Sequence, residues 1–361
     1  MSFPFLQPYA GLGNSLQTAQ GAAGGGAVGG WVELGRTTLG SAGSTIDVTG
    51  FADKRYYMIL YDGIPTAGGT PNGLMRVGNT TFDTGSNYAK RSSDNGAADS
   101  TGTSQSFAIN DGTGGTSHRW GYTYISNLSS AEKLFLNHGV FAGSTGAATA
   151  PSRREEVAKW ANTSNVIDRL RIYDTSAHFD TNSEVVVLGW DPADEHTSNF
   201  WEELGSADVS GGTIDISFTS KKYLWIQCYA VNSGSGGDHL NLRLGNTTID
   251  SGNNYSFRYS LDGASDGTLL NQTDLNVFQG ATVDEKMFVN IFIVNNASNE
   301  KLIICHGVSD NSSTGAANAP ARTEMVGKWT NTSNQADILQ FFNQGAGTLT
   351  GNSTARIWGS D

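Results

Sequence analysis

Gly78-Asn-Thr-Thr-Phe-Asp-Thr-Gly-Ser-Asn-Tyr88 returns later in the chain as Gly245-Asn-Thr-Thr-Ile-Asp-Ser-Gly-Asn-Asn-Tyr255. The match continues in both directions from this pair. Trp31-Val-Glu-Leu-Gly35 answers Trp201-Glu-Glu-Leu-Gly205, and Ser44-Thr-Ile-Asp-Val48 answers Gly212-Thr-Ile-Asp-Ile216. Downstream, Glu132-Lys-Leu134 answers Glu300-Lys-Leu302, and His138-Gly139 answers His306-Gly307. Lys159-Trp-Ala-Asn-Thr-Ser-Asn165 answers Lys328-Trp-Thr-Asn-Thr-Ser-Asn334. The offset stays between 167 (Gly78 to Gly245) and 170 (Gly35 to Gly205), so few insertions separate the copies. This is duplication of a whole domain, because a solenoid would repeat at a far shorter period. The modules span residues 31–190 and 201–361, joined by a polar linker at 191–200 and preceded by an arm at 1–30.

The module reads as all-β. Tyr56-Tyr-Met-Ile-Leu-Tyr61, Tyr223-Leu-Trp-Ile-Gln-Cys-Tyr229 and Met287-Phe-Val-Asn-Ile-Phe-Ile-Val294 are aromatic and β-branched runs bounded by polar residues, which predicts buried strands. Asn295-Asn-Ala-Ser-Asn-Glu300 predicts a hairpin turn. Only Arg153-Arg-Glu-Glu-Val-Ala-Lys-Trp160 suggests a short helix, and Gly327 in its counterpart argues against one. Roughly eight short strands per module predict two tandem jelly-roll-like β-sandwich domains, with an immunoglobulin-like sandwich as the alternative.

Charge excludes one class of partner. The formal net charge is −12 with no Lys/Arg block, so nucleic acid is repelled. No window approaches a membrane span, and no basic stretch followed by an apolar run marks a secretory signal. Cys228 and Cys305 match Tyr61 and Asn137 of the first copy, which favours free buried thiols over a bridge.

Candidate chemistry is sparse. Gly24-Gly-Gly-Ala-Val-Gly29 fits G-x-G-x-x-G but lacks the flanking strand and helix, so no cofactor is expected. His138 and His306 read as hydrogen-bonded histidines at strand ends, without metal-ligand spacing. Asp83 and Asp250 sit in a turn that they are expected to brace, and no calcium or other metal is expected there. The linker acids Asp191, Asp194 and Glu195 with His196 read as solvated, and no acid pair or Ser/His/Asp arrangement supports an enzyme. Asn79, Asn246, Asn162 and Asn331 open Asn-x-Ser/Thr sites that read as turn and strand residues. Arg153 with Glu155, and Arg322 with Glu324, keep an Arg-x-Glu spacing that suits either a surface ion pair or an interface between chains. Trp160 and Trp329 are expected in the module cores. In the arm, Phe3, Phe5, Leu6 and Tyr9 are interrupted by Pro4 and Pro8, which suits extended docking ahead of a Gly-rich tether.

The module ends carry a resemblance. Lys159-Trp-Ala-Asn-Thr-Ser-Asn165 followed by Asp180-Thr-Asn-Ser183 and Val187-Leu-Gly189 resembles the closing segment of surface modules in tailed-bacteriophage virions. Lys328-Trp-Thr-Asn-Thr-Ser-Asn334 followed by Gly351-Asn-Ser353 and Ile357-Trp-Gly359 is similar, as is the opening Leu39-Gly-Ser-Ala-Gly-Ser-Thr-Ile-Asp-Val-Thr-Gly50. The resemblance implies a non-enzymatic decoration, spike or fibre protein on the outer surface of a virion. It also implies a homotrimer, contacts with other virion proteins, and no catalytic residues. The competing expectation is a lectin-like protein presenting exposed Trp and Tyr to host glycans.

Overall fold

The computed structural model describes residues 27–28, 30–110, 117–192, 194–196, 198–233, 239–279, 285–311, 319–345 and 347–361. Phe3, Phe5, Leu6 and Tyr9, with the Gly-rich tether at 21–26, lie outside them. Every element among the described residues is a strand, and no helix is long and apolar enough to cross a membrane.

The first module has an eight-stranded sheet. Its order is Val32–Thr38, Glu184–Trp190, Tyr56–Gly63, Arg119–Ser126, Lys133–Phe141, Ser152–Trp160, Tyr88–Asp94 and Ser100–Ser104. A smaller sheet of five holds Thr45–Thr49, Arg169–Tyr173, Gly73–Asn79 and Thr81–Phe82, with Phe107–Asn110 also paired to Gly73–Asn79. The second module repeats this order strand for strand and adds Thr348–Leu349 beside Tyr223–Ser233. All the pairings are antiparallel, and Ile46, Val48, Met75 and Ile172 of the small sheet meet Tyr57, Ile59, Tyr61 and Val187 of the large one. The chain is therefore two tandem jelly-roll-like β-sandwiches. Each has more strands than the eight expected, because several short edge strands carry no apolar run. Ser152–Trp160 is a strand, not a helix, because its alternation of inward Glu156 and Ala158 with outward Arg153, Glu155 and Val157 serves two different faces.

The repeated motif explains itself locally. Thr80 and Thr247 hold positive φ at the tip of a tight hairpin, their amides bonded to Asp168 and Asp337. A Cβ on Gly78 would lie 1.9 Å from the Thr81 carbonyl oxygen, so that position admits only glycine. Asp83 then accepts hydrogen bonds from the Gly85 amide, the Asn87 side chain and the Trp160 indole at 2.7 Å. Asp250 does the same with Gly252, Asn254 and Trp329 at 2.8 Å. Both carboxylates are engaged by their own turn. Lys133 and Lys301, from the repeated Glu-Lys-Leu, lie beneath those indoles at 5.6 Å and donate to nearby carbonyls. Burial lowers the Lys301 ammonium to about 8. Cys228 and Cys305 are free and buried, and burial pushes both thiols up.

Trp160 and Trp329 are each 1% exposed. Trp160→Ala or Trp329→Ala should each destabilise the protein by about 3–5 kcal/mol in chemical unfolding. Unchanged melting behaviour would show that these rings do not hold the cores together.

Candidate functional site: the seam between the modules

Tyr56–Gly63 is buried along nearly its whole length. Tyr57, Ile59 and Tyr61 point into the first sandwich, whereas Met58 and Leu60 point out of its large sheet. Val185 and Val187 alternate in the same way with Val186 and Leu188. These outward residues are covered by the second module. Met58, Leu60, Trp120, Tyr122, Val186 and Leu188 form one apolar cluster with Phe200, Trp201, Tyr223, Phe292, Ile304 and Trp358. The two large sheets lie face to face, which makes the molecule four layers deep. Trp120 stacks on Tyr223 at 5.5 Å, and Tyr122 meets Phe292 at 4.7 Å.

A ring of charge surrounds this apolar patch. Lys222 of the second module pairs with Asp62 at 3.0 Å and Glu184 at 3.1 Å in the first. Tyr223 donates its hydroxyl to Glu184 at 2.6 Å. Burial pushes the Asp62 carboxyl up, but Lys222 and His118 outweigh it and hold it well below the usual range. Lys328 donates to the carbonyls of Ala142 (2.9 Å) and Ser144 (2.6 Å), and Glu300 accepts from the Gly146 amide at 2.6 Å. Ser256 and Arg258 donate to the carbonyls of Thr149 and Pro151. The 142–151 loop is thus fastened to the second module's edge.

Directly after this loop, Arg153 bridges Glu155 (2.5 Å) of its own strand to Glu324 (2.6 Å) and Asp266 (2.7 Å) of the second module. In the first copy the Arg-x-Glu pair is therefore buried in the seam and is not a surface pair. It crosses between modules within one chain. Its counterpart Arg322 is exposed and, among the described residues, pairs only with Glu324, at 3.6 Å. Beside Arg153, the His138 and His306 rings meet at 4.4 Å. Neither histidine is alone at a strand end, contrary to what its spacing suggests. Both lie within strands, on the outward face. The signal was available in Leu134-Phe-Leu-Asn-His-Gly-Val-Phe141, whose apolar residues occupy both parities and so imply a strand covered on two faces.

His138, Glu155 and His306 bring two imidazoles and a carboxylate within reach of one point, a donor set that suits several divalent metals. The Arg153 guanidinium, already seated on Glu155, opposes a cation there. Burial, reinforced by Arg153, holds both imidazoles below their ordinary value, His306 at about 4 despite the opposing pull of Glu324. What the arrangement does chemically is fix the register of two sheets through neutral rings and a shared guanidinium.

A second feature distinguishes the copies. At one end of the first sandwich a hollow of about 480 Å³ is lined by Thr70, Asn72, Lys90, Ser92, Asp94 and Arg154. Arg154 pairs with Asp94 at 2.9 Å and with the buried Glu156 at 2.6 Å. By strand register, Lys90, Glu156 and Arg154 correspond to Phe257, Met325 and Thr323. The second copy packs this end with apolar side chains, and the first keeps it polar.

Neither a family model nor a curated protein matches the chain. Among solved structures, domains LG4-5 of the mouse laminin alpha1 chain align over 91% of this chain and 90% of that one, at 11% identity and a TM-score of 0.21. OpdL of Pseudomonas aeruginosa aligns over 85% of this chain and 98% of that one, at 8% identity and a TM-score of 0.14. Likenesses this distant carry no argument, and the fold rests on the strand order itself.

The buried imidazoles give the seam a pH dependence. An unfolded histidine takes up a proton near pH 6.5, whereas His306 resists until about 4. Its contribution is complete above pH 6.5 and is lost as pH falls toward 4, on the order of 3 kcal/mol. His306→Gln should flatten the decline in unfolding free energy over that interval. An unaltered slope would place the titration elsewhere.

Proposed function

We propose that this chain is a non-enzymatic structural protein of a virus particle, displayed on the outer surface as a decoration, spike or fibre subunit. The observation that carries this reading is the seam. A duplicated module has turned the outer face of its larger sheet into a packing surface, with Trp120, Tyr122, Phe292 and Trp358 spent on protein–protein contact. The placement of tryptophan agrees, since all eight are buried or half-buried in the cores or along the seam. The closing segments after Trp160 and Trp329 supply the resemblance to virion modules. On this reading the partners are other virion proteins, reached through Phe3, Phe5, Leu6 and Tyr9 of the arm. The homotrimer implied by that resemblance belongs to the same proposal.

One observation favours a second reading, a protein that recognises host glycans. The polar hollow of the first module offers Asp94, Asn72 and Arg154 to a hydroxyl-rich ligand. It has no counterpart in the second copy, where Phe257 and Met325 are buried.

Deleting residues 2–20 should leave the modules folded and abolish incorporation into particles, measured by blotting purified virions. Normal incorporation would rule out the arm as anchor. Glycan-array binding by the intact chain that disappears in Asn72→Ala, with melting retained, would establish the second reading. Equal absence of binding in both would remove it.

A further inference from the structure

The seam is not two-fold symmetric, and this has a structural consequence. In an isologous contact, equivalent residues of the two modules would be equally covered. They are not. Leu136 is 46% exposed and its counterpart Ile304 only 2%, whereas Val308 is 43% exposed and its counterpart Val140 is 0%. Leu134 and Val157 are exposed where Leu302 and Val326 are buried, and Phe288 is exposed where Trp120 is buried. These equivalences follow from register, since Leu136 pairs with Val157 as Ile304 pairs with Val326, and Val140 pairs with Arg153 as Val308 pairs with Arg322. The first module therefore buries the Val140 side of its outer sheet face and the second the Ile304 side, while Leu188 and its counterpart Trp358 are buried in both. Each is left with the portion that its twin alone employs.

The polar partners follow the same rule. Arg153 reaches Asp266 and Glu324, whereas its counterpart Arg322 has no reciprocal bond to Glu155. Asp266, with Arg258, corresponds to Asp99 with Arg91, an exposed pair on the first module. Lys328 and Glu300 clamp the 142–151 loop, whereas Lys159 and Glu132 bond only to each other and are exposed. Half-buried Trp31 and Tyr124 occupy the places of Trp201 and Phe292, which the first module covers in the second.

We infer that the free half of the second module, centred on Phe288, Val308 and Arg322, docks on the free half of the first module of another copy of this chain, centred on Leu134, Leu136 and Val157. The contact repeats between chains the parts of the internal seam that only one module of each chain has covered. Arg322 then meets the exposed Asp99 of the next copy, as Arg153 meets Asp266, and Phe288 meets Tyr56 as Trp120 meets Tyr223. The occupant is a second copy because both complementary halves are carried by one polypeptide and the internal seam already displays their fit. A head-to-tail contact of this kind yields a ring if the rotation closes and a filament if it does not. The inference deepens the structural reading above, but it is tested on the purified full-length chain alone. Its failure would leave the particle-surface reading standing.

Light scattering on a concentration series should give masses of two chains or more for the wild type. Leu136→Asp and Val308→Asp, both at exposed positions, should keep the wild-type melting curve and each weaken association at least tenfold. An equimolar mixture of the two variants should recover capped two-chain species, since each retains the half that the other has lost. That recovery is specific to a head-to-tail contact. Wild type that stays monomeric overturns the inference, including the case where removing residues 2–20 releases association and so shows the arm to be the occupant. Variants that associate like wild type, or a mixture that recovers nothing, also overturn it.

Discussion

The architecture depends on strands whose two faces are both dry. An ordinary sandwich sheet buries one face on its partner sheet and leaves the other to water. Here Met58, Leu60, Val186 and Leu188 make the second face of the first module apolar, and exposing so large a contiguous patch would cost solubility. Covering it with the second module removes that patch from water and sets the two sandwiches in one body. The linker, the turn at its end and the charged residues around the seam are arranged to serve that contact. Lys54, for instance, ties Asp194 of the linker back to the first module at 2.6 Å.

Burying that much apolar surface says little about registration, because dispersion and hydrophobic contact are not directional. Direction comes from the charges. Lys222 between Asp62 and Glu184, and Arg153 among Glu155, Glu324 and Asp266, are each satisfied in one alignment of the sheets. Displaced by one residue, each would leave an unpaired charge in a dry interface, which costs several kcal/mol. The neutral His138–His306 contact fits the same logic, since a protonated ring beside Arg153 would repel it.

Duplication gave each copy the same scaffold, and the copies then diverged where their surroundings differ. Turn, tryptophan and lysine repeat nearly atom for atom, because they build the sandwich. The outer faces do not repeat. Tyr122 stands opposite Asn290 and Met58 opposite Trp225, since one half-face presses outward and the other receives it. The end of the sandwich diverges too, with Lys90 and Glu156 in one copy and Phe257 and Met325 in the other.

The module, its duplication and its β character are legible in the amino-acid order alone. Those depend on local patterns, namely alternation, turn chemistry and a period too long for a solenoid, and each is readable over a few residues. That order also marked Trp160, Trp329 and the Asp83 turn, because their bonds lie within one repeat. It did not reveal that Arg153 faces Glu324, that His138 meets His306, or that Arg322 is left out of the seam. Identical spacing in the two copies made these residues look equivalent. Only the tertiary structure broke that equivalence, because a contact between two copies of one surface places them in different environments unless a two-fold axis runs between them. None does here, so which half of each face is buried was decided by the packing of one module on the other.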